Sequence, residues 1–143
     1  MVQAYNFLAS WQLFPEKCSY QKGMPPKSGN YRIESIQQQQ ELSIQNNWVT
    51  LDNEAYFSQY EVKPDGLPHA LADKTYADTI IGEIINSSTI DISFLANNDL
   101  VLKVRKEILG NGYLKISQQG KDTDGNTFLN VDIYHKQLSV LPY

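Results

Sequence analysis

The chain has 143 residues, a formal net charge of −4 and a pI near 5.1, with 41% hydrophobic and 20% charged residues. A chain this long buries roughly 70% of its unfolded surface, so residues 1–143 are read as one domain able to hold a core without disulfide or metal. The acidic balance excludes a nucleic-acid partner, because Arg32 and Arg105 are the only arginines and no basic cluster forms, and no apolar run reaches the ~18–20 residues that span a bilayer.

Met1-Val2-Gln3-Ala4-Tyr5-Asn6 has no basic n-region and no apolar h-region, so it is not read as a signal peptide. Cys18 is alone and can form no internal disulfide. Together these lead to the expectation of a cytoplasmic protein. The first predicted strand covers 7–13, where Phe7, Ala9, Trp11 and Leu13 share a face. A Trp on the inner side of a first strand can close one end of a barrel, because its ring covers more core than any other side chain.

Residues 15–29 carry three Pro and two Gly and read as a long connection with one short helical turn. A strand follows over 30–36, then Gln37-Gln38-Gln39-Gln40 as a polar hairpin tip. Strands over 42–51 and 54–62 are split by Asp52-Asn53, a pair that turns easily. In Lys63-Pro64-Asp65-Gly66, Pro64 presets φ and Gly66 supplies φ > 0. Residues 67–77 read as a short strand plus a loop. Five further strands are expected over 79–86, 89–96, 100–109, 113–119 and 127–136, each joined by a short polar or Gly-rich linker. The fold class is therefore all-β: an antiparallel up-and-down β-barrel of about nine or ten strands, with a sandwich as the other way of arranging such a meander.

Three separated motifs carry a family resemblance. They are Ala9-Ser10-Trp11, then Glu16-Lys17-Cys18-Ser19-Tyr20 with Gly23 and Pro26-Lys27-Ser28, and finally Gly120-Lys121-Asp122-Thr123-Asp124-Gly125 with Val131-Asp132-Ile133-Tyr134-His135-Lys136-Gln137. In this order the chain resembles a bacterial lipocalin-like family of the calycin type. The resemblance implies a lipocalin-like barrel with a generic pocket and names no ligand. Ala9 stands where the lipocalin Gly-x-Trp signature has Gly, which leaves Trp11 as the matching residue. It also implies a basic residue packed over that Trp, for which Lys136 and Arg105 both qualify.

A barrel of this size admits one small ligand or is filled by side chains. On the last strand Leu129, Val131 and Ile133 form the apolar face and are expected inside. Phe128, Asn130, Asp132 and Tyr134 form the other, and a buried carboxylate without a partner is expensive. Were that face turned inward, Asp132 and Tyr134 would anchor a head group. Tyr56, Ser58 and Tyr60 share one face of their strand, where the rings either lie on a solvated surface or line a cavity. Tyr56, Tyr60, Tyr134 and Arg105 are the candidate ligand-binding residues, as the polar handles best able to reach inward. The expected partner is a small apolar or amphipathic molecule, uncharged or weakly anionic.

No catalytic residue, metal ligand or cofactor is assigned. There is no Gly-x-Ser-x-Gly, P-loop, His-Glu-x-x-His or CxxC. His135 as a haem ligand is weaker than His135 as a surface residue. Lys17 beside Cys18 favours a lowered thiol pKa, yet no base accompanies it and the thiol reads as structural. Asp122-Thr123-Asp124-Gly125-Asn126 lacks the later ligands of a calcium loop and reads as an Asp-rich turn. The function expected is binding; an enzyme using the same cavity, or an interaction module with a filled barrel, are the alternatives.

Overall fold

The computed structural model describes residues 5–36 and 40–137. The leading four residues, three of the four glutamines expected at a hairpin tip and the last six residues lie outside them. The chain is all-β. The strands are β1 (Ala9–Leu13), β2 (Ser19–Tyr20), β3 (Ser28–Ile36), β4 (Glu41–Val49), β5 (Ala55–Val62) and β6 (Asp65–Ala70), then β7 (Thr79–Asn86), β8 (Thr89–Ala96), β9 (Asp99–Ile108), β10 (Leu114–Lys121) and β11 (Thr127–Lys136). The described helical segments are two 3-10 turns, Tyr5–Phe7 and Pro15–Lys17.

The strands make one antiparallel up-and-down sheet in the order β5-β4-β3-β1-β11-β10-β9-β8-β7-β6, with β2 alongside β11. It curls into a half-barrel. β1 joins the two ends of the chain, pairing Trp11 with Tyr31 on one side and with Lys136 on the other. β1 and β2 lie along the same edge of β11, separated by the Pro15–Lys17 turn. The connection expected to hold one helical turn therefore also holds a two-residue strand, too short to show as alternation.

The turns follow their residues. Asn53 takes a φ of 66°, and Asn97 and Asn98 take 51° and 69°, the left-handed pair of a two-residue hairpin. Gly66 has a φ of 76°, as the Pro64-Asp65-Gly66 signal requires. In the β10–β11 connection, Asp122 Oδ1 accepts from the N–H of Asp124 and of Asn126, both at 2.9 Å. That carboxylate closes an Asx-type turn.

The sheet's edges are β5 and β6. Only Lys63 and Pro64 separate them in sequence, yet they do not hydrogen-bond to each other. At this corner β5 instead leans on β7. A Cβ built on Gly82 would lie 2.4 Å from Val62 Cγ2, so the contact exists because residue 82 has no side chain.

The core fills the end of the half-barrel that holds the β7–β8 turn. Phe7, Trp11, Ile33, Leu42, Ile44, Val62, Ile90 and Leu114 are buried there. The first strand starts two residues later than the alternation predicts. Phe7 belongs to the 3-10 turn and sits in the core, and its carbonyl accepts from Trp11 Nε1 at 3.1 Å. Asn6 Nδ2 donates to Ser87 O at 3.3 Å, tying this plug to the β7–β8 turn. Trp11 is 1% exposed and closes that end.

Candidate functional site

The inner face of β11 is the reverse of the one expected. Asn130, Asp132 and Tyr134 are buried, and Leu129, Val131 and Ile133 are half-buried on the outside. The cause is β2 and the loop after it. Asn130 Oδ1 accepts from the N–H of Gln21 and Lys22 at 3.0 and 3.1 Å, and its Nδ2 donates to Lys22 O at 3.0 Å. Tyr20 donates its hydroxyl to Asp132 Oδ1 at 2.6 Å. The polar groups whose burial alternation judged too costly thus have partners supplied from 110 residues away, which removes most of the penalty.

A cavity of about 450 Å³ opens beside the Tyr20–Asp132 pair, at the end opposite the Trp11 plug. β4 supplies Asn46 and Trp48, β10 supplies Gln118, β2 supplies Tyr20 and β11 supplies Asp132 and Tyr134. Asn46 Oδ1 is buried and has no hydrogen-bond donor among the described residues. Burial raises the Asp132 carboxyl above the usual carboxylate range, against the lowering effect of the Tyr20 hydroxyl and the Cys18 thiol that face it. The same burial, with Asp132 nearby, raises the Tyr20 hydroxyl. The Cys18 thiol donates to Phe14 O at 3.4 Å, and burial pushes it up to about 11. The neighbouring Lys17 therefore does not activate it. A high-pKa thiol is a poor nucleophile.

The four residues expected to bind a ligand divide between inside and outside. Tyr134 is buried, lines the cavity and packs on Tyr31 with ring centroids 5.4 Å apart. Tyr60 faces inward, edge-on to Phe94 at 5.3 Å, and accepts from Lys106 Nζ at 3.2 Å. Tyr56 is exposed at the rim, stacked on Trp48 at 5.5 Å and donating to Glu54 Oε2 at 2.6 Å. It reaches the cavity only by supporting Trp48. Arg105 points away from the interior, because Val104 and Lys106 beside it point in. On the outer face it forms a two-bond ion pair with Asp91, both contacts at 2.7 Å. Lys136, not Arg105, lies across from Trp11 in the sheet. His135 also faces outward, its ring edge-on to Phe14 at 5.9 Å, and so offers the interior no haem ligand.

Lys106 belongs to no sequence motif. It sits on the inner face of β9 with Leu102, Val104 and Ile108 and is 0% exposed. Its Nζ lies 5.6 Å from the centroid of the Tyr31 ring and 5.9 Å from that of Tyr60. Burial lowers its pKa to about 7. The signal was present in the sequence as a lysine on the apolar register of a strand. Beside it, between β5 and β6, the sheet's edges among the described residues, opens a cleft of about 930 Å³ whose wall includes Tyr60, Ile80, Phe94 and His69. His69 Nε2 lies 2.9 Å from Asp65 Oδ2, four residues back along β6.

No family model matches the chain, and neither does any curated protein. Among solved structures, the chain is similar to a redesigned beta barrel at 13% identity and a TM-score of 0.51, covering 96% of this chain and 98% of that one. At that identity the likeness speaks to the fold alone, and the fold it supports is an antiparallel β-barrel.

Proposed function

We propose that this is a lipocalin-like binding protein that takes one small amphipathic molecule at the open end of its half-barrel. The carrying observation is a cavity of about 450 Å³ with Asn46 in its wall, whose Oδ1 is a buried acceptor without a donor among the described residues, set just beneath the cavity surface. That volume lies in the range of small-molecule sites. Such an orphan costs about 1–3 kcal/mol, which a ligand N–H or O–H would recover. Asp132 adds a second acceptor, and Trp48 and Tyr134 add ring faces. The chemistry favours a flat, mainly apolar molecule that donates hydrogen bonds, such as an aromatic or alicyclic alcohol. It disfavours a carboxylate, which would meet the Asp132 side chain.

The test is a thermal-shift and tryptophan-fluorescence screen of aromatic alcohols, retinol, fatty acids and their methyl esters. Alcohols are expected to bind, and Asn46→Leu to weaken them about tenfold, the equivalent of one hydrogen bond to a buried acceptor. Trp48→Phe should remove most of the fluorescence response, since Trp11 is sealed in the plug at the other end. A screen without hits, or one in which fatty acids win and Asn46→Leu changes nothing, refutes the reading.

A further inference from the structure

We propose that Lys106 is a nucleophilic lysine that condenses with a small aldehyde or ketone entering through the cleft between β5 and β6, with the Tyr60 hydroxyl relaying the proton. This is separate from binding at the open end, and the two can fail independently.

Four observations converge on it. Lys106 is fully buried, whereas every other lysine among the described residues is exposed or half-exposed. Its Nζ makes no ion pair with any carboxylate of the described residues. The groups facing it are the Tyr31 ring from β3 and the Tyr60 ring and hydroxyl from β5. Its register neighbours, Ile90 on β8 and Ile116 on β10, are apolar, and Asp132 lies one strand further on, across Ile116. A lysine solvated only by phenol and hydrocarbon is stabilised in its neutral form, the nucleophilic one.

Access and proton handling come from the same side. Tyr60 both lines the cleft and touches Nζ. Among the described residues its strand, β5, is hydrogen-bonded on one side only, so the wall between cleft and amine is less constrained than the inner strands of the sheet. In the reaction the Nζ lone pair forms a bond to the carbonyl carbon, and the carbonyl oxygen takes up a proton. The carbinolamine then loses that oxygen as water, both hydrogens of the amine leaving with it, and the C=N bond of the imine remains. Nothing is oxidised or reduced. A hydroxyl at 3.2 Å from the amine is placed to pass a proton to the departing oxygen.

The experiment is reductive trapping on the intact chain. Propanal and sodium cyanoborohydride are added between pH 5.5 and 8.5, and the propylated sites are mapped by peptide mass spectrometry. Lys106 is expected to be modified first, with a rate that levels off above about pH 7, while the exposed lysines accelerate throughout the range. Tyr60→Phe, which keeps the ring, should slow labelling of Lys106 about 100-fold through loss of the proton relay and leave the exposed lysines unchanged. Lys106→Met should abolish the early label. Labelling confined to exposed lysines overturns the proposal, as does modification of Lys106 only in denaturant. An unchanged Lys106 rate in Tyr60→Phe overturns the relay.

Discussion

Two buried side chains show how differently one position can act on stability. Trp11 is 1% exposed, and its Nε1 is satisfied by Phe7 O at 3.1 Å, so it contributes dispersion and area with no polar penalty. Trp11→Ala is expected to cost about 3–5 kcal/mol, the range for a large aromatic removed from a core. Urea unfolding reads this directly, and an unshifted midpoint would contradict the plug. Lys106 is the opposite case. Its pKa falls from 10.5 to about 7 on folding, so between these values the unfolded chain binds more protons than the native one. By linkage the native state gains stability as pH rises from about 7 towards 10.5, and this residue adds no slope below about 7. Buried groups with raised pKa act in the other direction, the Cys18 thiol from its ordinary value near 9 upward and Tyr31 and Tyr134 from about pH 10 upward, which leaves the range from about pH 7 to about 8 as the clean window. Lys106→Met should remove the rising slope there. It should also equal or exceed the wild type at pH 7 by about 1–4 kcal/mol, as when a buried charge gives way to a packed apolar side chain. Parallel denaturation curves for the two proteins from about pH 7 to about 8 would refute it.

Among the elements, β7 and β11 carry the most information about how the half-barrel is held. On β7, Gly82 lets Val62 and the Lys63-Pro64 corner lie against the sheet, where a Cβ would sit 2.4 Å from Val62 Cγ2. Gly82→Ala is therefore expected to destabilise by about 1–3 kcal/mol through overpacking, even though Ala suits a strand no worse than Gly. Adding Val62→Ala should recover part of that loss, and a double-mutant cycle with no coupling would show that β5 does not rest there. The inner face of β11 is not legible in its own residues. Leu129, Val131 and Ile133 are the more apolar set, and taken alone they belong inside. Asn130 and Asp132 are inward because β2 and residues 21–22 bring partners to them. A two-residue strand inside a Pro- and Gly-rich linker leaves no periodic trace, so the sequence shows neither the strand nor the satisfied carboxylate.

For the molecule as a whole, β1 is the closing piece. It lies between β3 and β11, so the sheet is complete only when both ends of the chain have been brought together. Forming such non-local pairs requires loop closure before any contact rewards it. Folding is expected in milliseconds to seconds, slower than for helical chains of this size, and stopped-flow tryptophan fluorescence should report it mainly through burial of Trp11. A microsecond phase carrying the full amplitude would mean that the β1–β11 pairing is not part of the barrier.

The sequence by itself determined where most of the strands lie, β2 and the start of β6 excepted. β7, β8 and β11 fall where alternation places them, and β9 and β10 within two residues. The Asn and Gly turns take the positive φ that their composition requires. These features are local: a turn residue acts on its own backbone, and an apolar period of two acts along its own strand. Tertiary structure decided which face of each strand turned inward, and with it the site. Tyr60 and Tyr134 are inside and Arg105 is outside, although in the sequence all three are equally polar handles on strands. Lys106 and Asn46 entered only with the fold. Alternation is symmetric under exchange of a strand's two faces. The tie is broken by partners distant in sequence, such as Tyr20 for Asp132, Asp91 for Arg105 and Tyr60 for Lys106, whose contacts alone make burying or exposing a polar group favourable.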